Sequence, residues 1–183
     1  MVWLVQRYEA RGELEGACET VRRLFSLRPE LPSYQEVHRL AITLGRWGRL
    51  RPALLAFLEK QRRSDLLMQI ALREGEIDRA LELLPGVLRH FLLVAIDLAV
   101  QVAQVAEEPR PRAALELYRQ RVAQLIAQRG RGNYVEACHL LVKMRDLHAY
   151  LDEDNVWIGY LAALREQHRP LRALKEELVA EAL

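Results

Sequence analysis

Apolar residues recur every three or four positions along most of this chain, and Gly or Pro punctuation separates the runs. Trp3, Leu4 and Tyr8 share one face of a predicted helix over 1–11. Val21, Leu24 and Leu27 give the stripe of a second over 14–27, closed by Arg28-Pro29. Tyr34, Val37 and Ala41 mark the next, up to Leu44-Gly45. Another helix starts near Leu50, with Pro52 in its first turn and Leu54, Phe57 and Leu58 inward. Ser64-Asp65 reads as the N-cap of a helix with Leu67, Ile70 and Ala71 in the core. Ile77, Ala80, Leu81 and Leu84 follow, and Pro85-Gly86 is the predicted stop. No alternating strand pattern is present, so the fold class expected is all-α.

The first two runs set a template. Gly12 supplies the positive φ that closes a helix, and Ala17, five residues on, lets two helices approach closely. Gly75/Ala80 and Gly132/Ala137 repeat that spacing, and Gly45/Leu50 is a looser copy. Gly12, Gly45 and Gly75 lie 33 and 30 residues apart. A two-helix period of this size predicts an α-α superhelix, a solenoid of antiparallel pairs with about ten or eleven helices.

The second half is less regular. Phe91–Ala106 is the most apolar stretch, but Asp97, Gln101 and Gln104 interrupt it. It falls short of the ~20 residues a bilayer requires, so a helix buried on most sides is expected there and no membrane partner. Glu107–Pro111 is a break, a loose internal boundary of a single domain over 1–183. A long helix over 114–128 follows, then a turn at Arg129–Gly132. Asn133 is read as a cap for a helix with Val135, Cys138, Leu141, Met144 and Leu147 inside. Asp152–Asn155 opens a helix carrying Val156, Trp157, Tyr160, Leu161 and Leu164, and His168-Arg169-Pro170 breaks it. Leu171, Leu174 and Leu178 face inward from a last, cap-like helix. Ala114 and Ala137 are only 23 residues apart, so either a helix is missing there or the later matches are local coincidences. No N-cap precedes the first run, which reads as a start inside a longer protein whose C-terminal piece this would be.

Composition adds bounds. The chain has 183 residues, 51% hydrophobic and 28% charged, as a globular domain has. Its net charge of +2 favours neither a nucleic-acid nor a membrane partner. Arg22-Arg23 and Arg62-Arg63 are phosphate-sized pairs, but Glu15, Glu19 and Glu59 lie close in sequence. Nucleic acid is therefore an unsupported partner. Cys18 and Cys138 each follow the small residue of the repeat and are expected as buried apolar side chains. With no secretory signal, they point to the cytoplasm.

Candidate chemistry is sparse. His38, His90, His139, His148 and His168 form no HExxH or His-x3-His pair and read as ordinary surface or half-buried side chains. No metal site, cofactor site or catalytic set is expected, and the chain reads as a non-enzyme. Arg129-Gly130-Arg131-Gly132-Asn133 opens a helix with two arginines; it reads as a plain turn, with an anion site as the alternative.

Leu4, Tyr8, Gly12, Ala17 and Pro29 resemble the spaced positions of the tetratricopeptide repeat, with Leu24 for a usual Ala and Val5 for a usual Gly. Tyr34, Val37, Ala41 and Gly45 form a second copy, and Leu67, Ala71, Gly75 and Ala80 a third. The resemblance implies a groove lined by the first helix of each pair. Gln6, Glu9, Arg39, Ile42, Gln69, Leu72 and Arg73 would face it and hold a protein or peptide partner. Further on, 133–137, 161–169 and 171–178 resemble the helical C-terminal region of bacterial SWIM-type zinc-finger proteins. The Cys-x-Cys and Cys-x-His pairs that hold zinc in that family are absent here, so neither zinc nor DNA binding carries over. The resemblance leaves an accessory module of such a protein as the alternative function.

Overall fold

A computed structural model describes residues 2–90 and 92–183, with side chains described for 3–88 and 98–183. Its described residues form eleven α-helices and no strand, as the periodicity predicts. Two compact units divide at 90/91. The first holds α1 (Val2–Ala10), α2 (Leu14–Leu27), α3 (Leu31–Thr43), α4 (Trp47–Lys60), α5 (Ser64–Glu74) and α6 (Ile77–His90). The second holds α7 (Leu92–Ala106), α8 (Pro111–Gln128), α9 (Arg131–Tyr150), α10 (Asp154–Gln167) and α11 (Arg172–Ala180). Consecutive helices pack on one another within each unit as far as α10, and α11 packs back on α9, the hairpin stacking of an α-α superhelix. The stretch 107–110 is the short connection between α7 and α8, inside the second unit.

Three glycine turns of the first unit share one geometry. Gly12, Gly45 and Gly75 have φ of +72°, +65° and +75°. The residue after each donates its N–H five residues back: Glu13 to Tyr8 (2.9 Å), Arg46 to Ala41 (2.8 Å), Glu76 to Ala71 (2.8 Å). This closure satisfies carbonyls that a helix end leaves open. The same bond recurs where no glycine stands. Arg63 donates to the Leu58 carbonyl (3.0 Å) behind Arg62 at φ +55°, and Glu153 to that of His148 (2.8 Å) behind Asp152 at φ +56°. The closure thus forms at turns that carry no glycine.

Several helix limits differ from expectation. Gly132 lies inside α9, and the turn glycine is Gly130 at φ +96°. Asn133 is likewise helical, and its Nδ2 donates to the Arg129 carbonyl at 2.5 Å. Arg63, not Ser64, stands at the N-cap of α5. Pro52 sits in the second turn of α4, which starts at Trp47. Pro85 and Gly86 do not stop α6; the helix continues to His90, with Pro85 on an exposed face. A proline removes one hydrogen bond, a loss that packing of the remaining face offsets.

The first core joins Phe25, Tyr34 and Phe57 as tilted ring pairs, with centroids 6.1 and 6.2 Å apart. Tyr34 meets Trp47 edge-on at 5.5 Å. Ala17 is fully buried, and beside it a Cβ on Gly16 would lie 2.9 Å from the Tyr8 ring, so α2 approaches α1 there as only glycine allows. Cys18 and Cys138 are buried free thiols. In the second unit Ala114, Tyr118, Val122, Leu125, Cys138, Leu141 and Met144 are fully buried. The apolar run from Phe91 lies outside the described side chains as far as Asp97. Beyond it Leu98, Val102, Ala103 and Ala106 are buried, and Gln101 and Gln104 are exposed. No described helix is long and apolar enough to cross a membrane.

Candidate functional site

The helices α1, α3 and α5 are tied to each other by side chains, not only through α2 and α4. On α3, Arg39 donates to Glu36 at 2.5 and 3.0 Å and also to Glu9 of α1. These carboxylates push the Arg39 guanidinium further up, and Arg39 in turn holds Glu36 below the ordinary carboxylate range. The Tyr34 hydroxyl donates to Glu74 of α5 at 2.8 Å. Arg51 of α4 donates to the same carboxylate at 2.6 and 2.9 Å and to Glu76 at 2.5 Å. Its guanidinium is raised chiefly by Glu74.

Two adjoining clefts share Pro32 and Glu36 on this face. One, of about 580 Å³, has Val5, Val21 and Leu24 in its wall, with Gln6 and Glu9 at its rim. The other, of about 670 Å³, is bordered by Arg39, Arg51, Arg73, Glu74 and the His38–Trp47 pair, whose rings meet at 4.5 Å. Of the residues assigned to a groove, Gln6 and Glu9 line the first cleft, and Arg39 and Arg73 the second. Ile42 is 54% exposed on α3 and lines neither. Gln69 and Leu72 are half-buried on α5 and also line neither. Trp47, Arg51 and Glu74 went unnoticed in the sequence. Their partners lie on other helices, beyond any one-helix spacing.

Three of the four paired arginines, Arg22, Arg23 and Arg63, are engaged locally. Arg22 donates to Glu19 at 2.8 and 2.9 Å, and Arg23 at 3.1 Å. Arg22 above all draws the Glu19 pKa down to about 2. Arg63 donates to Asp65 at 2.9 and 3.0 Å. At the start of α9, Arg131 donates to Glu177 at 2.7 Å, while Arg129, in the turn before it, enters no ion pair among the described residues. No group of three or more His, Cys, Asp or Glu side chains that could hold a metal ion occurs among the described residues. His139 is exposed and His38 half-buried, as expected, but His148 is not: it is 2% exposed against Trp157.

No family model matches the chain, and no solved structure matches it. An uncharacterized protein of Bacillus subtilis (strain 168), YwqB, is 38% identical to it over 68 residues. That alignment covers 37% of this chain and 13% of the Bacillus protein, so the chain spans a small fraction of that relative's length.

Proposed function

We propose that the chain is a non-enzymatic helical-repeat module whose first unit holds a segment of a partner protein or peptide along α1, α3 and α5. The observation that carries this reading is the pair of clefts joined at Pro32 and Glu36, one apolar and one charged. An extended segment laid across both puts an apolar side chain against Val5, Val21 and Leu24 and a carboxylate near Arg73. Arg73 suits that role because it enters no ion pair among the described residues, whereas Arg39 and Arg51 are held by Glu36, Glu9, Glu74 and Glu76. The same engagement of arginines by acids speaks for a protein ligand over a nucleic acid, which needs cations free to meet phosphates.

Selection of displayed peptides on the whole chain, then fluorescence anisotropy on the winners, tests this reading. Enriched peptides should combine an apolar anchor with an acidic residue. Arg73→Ala and Leu24→Ala should each weaken them by about ten-fold, the scale of a binding hot spot. Peptides that bind both variants as they bind the parent chain would refute it.

A further inference from the structure

We propose that the trough between α8 and α10, in the second unit, binds a small amphipathic carboxylate, its acid group toward Arg129 and His168 and its apolar body along the two helices. Both helices pack on α9, and between them lies a trough of about 720 Å³. Sites for small ligands run from roughly 300 to 1,000 Å³, mostly apolar with a few placed polar groups. Val122 and Ile126 of α8 stand one helical turn apart, facing Leu164 of α10 and Leu171 beyond it. No carboxylate lines the trough, while Arg119, Arg129 and His168 do.

The two arginines differ. Arg119 stacks on Tyr160, 5.2 Å from its ring centroid, and its Nη1 lies 3.6 Å from Glu116. Arg129, about 15 Å along the axis, enters no ion pair among the described residues. Its backbone is unusual as well. With φ +57° and ψ 178°, Arg129 occupies a region that is essentially glycine's own. A glycine would sit there without strain, so the arginine is held at a backbone cost. The connector after α10 contributes His168, Pro170 and Leu171 to the wall at this end. A ligand entering acid-first would meet the guanidinium there as a charge-assisted pair.

The test is isothermal titration of the whole chain with decanoate and with decanol, which share an apolar body but not the charge. Decanoate should bind saturably at one site, and decanol about ten-fold more weakly or worse. Arg129→Gly should keep or raise the melting temperature yet lose about ten-fold in decanoate affinity. Ala163→Trp, which fills the trough, should abolish binding without touching a charge, and it serves if the glycine variant does not fold. Arg73→Ala in the first unit should bind decanoate as the parent does. The proposal is overturned by absent or non-saturable decanoate binding, by equal affinity for decanol, or by full affinity in Ala163→Trp or a folded Arg129→Gly. A trough that takes an apolar peptide with a free C-terminus and refuses decanoate overturns it equally.

Discussion

The phenol of Tyr34 reaches 40 residues along the chain to donate a 2.8 Å hydrogen bond to Glu74, and so fastens α3 to α5. Tyr34 is buried, and Arg51 shares the carboxylate. Tyr34→Phe removes the donor but leaves Glu74 its arginine partner, so the loss should be that of one hydrogen bond to a charged group, about 1.5 kcal/mol. Urea unfolding of the single variants and of Tyr34→Phe/Glu74→Ala gives the coupling directly. An additive cycle would mean that the bond contributes nothing to stability.

A second expectation concerns alkaline pH. Burial first, and then the acceptors Glu74 and Glu107, raise the phenols of Tyr34 and Tyr118 above their ordinary value. In the unfolded chain each phenol loses its proton near pH ~10, while in the folded chain each keeps it. The unfolded state then binds fewer protons, so stability is fully present below pH ~10 and falls as pH rises beyond it, by about 1.4 kcal/mol per pH unit per tyrosine. Urea midpoints at pH ~9 to ~11.5 should show this slope, shallower in Tyr34→Phe and again in the double Tyr34→Phe/Tyr118→Phe. An unchanged slope in the double variant would contradict it.

The turns make opposite predictions at matched positions. Gly75→Ala places a Cβ at φ +75° and should cost about 1 kcal/mol. Arg62→Gly relieves the same strain at φ +55°, offset in part by the freedom glycine gains in the unfolded chain, and should be neutral or stabilising by up to about 1 kcal/mol. Thermal melts of both variants decide it. A clear loss in Arg62→Gly would assign its side chain a structural role.

His148 is buried with neither ring nitrogen hydrogen-bonded, its Nδ1 3.4 Å from Glu153 Oε2. A buried polar group without a partner costs roughly 1–3 kcal/mol. His148→Leu, close in volume, should therefore be neutral or stabilising by about 1 kcal/mol despite the lost contact with Trp157. Destabilisation beyond about 1 kcal/mol, read by urea unfolding, would show that the pairing with Glu153 holds the α9–α10 turn.

Much of the fold was legible because local chemistry dictates it. Gly12, Gly45 and Gly75 take a backbone shape that other residues resist, and each turn follows from that. Where Arg62 and Asp152 take the same shape, composition carries no trace of it. Pro85 misled for the opposite reason: a lost hydrogen bond is a small local cost, and tertiary contacts of α6 outweigh it. At the candidate site, the repeat resemblance put Gln6, Glu9, Arg39, Ile42, Gln69, Leu72 and Arg73 along one groove, and four of them border the two clefts. It could not foresee Arg51, whose approach to Glu74 depends on how α4 packs against α5. Nor could it foresee that His148 lies beneath Trp157, since a turn separates them.

Cys18 and Cys138 lie one in each unit, next to Ala17 and Ala137. Burial pushes the Cys18 thiol up, and burial with Glu177 and Glu181 lifts that of Cys138 to about 11. An alkylating reagent attacks only thiolate, so the fully enclosed Cys138 sulfur stays silent until its own helices part. Cys18 instead borders a cleft with Glu15, Arg22 and Arg46. Mass-resolved alkylation of a single sample would make Cys138 a native clock for the breathing of the second unit, with Cys18 as the internal standard beside it.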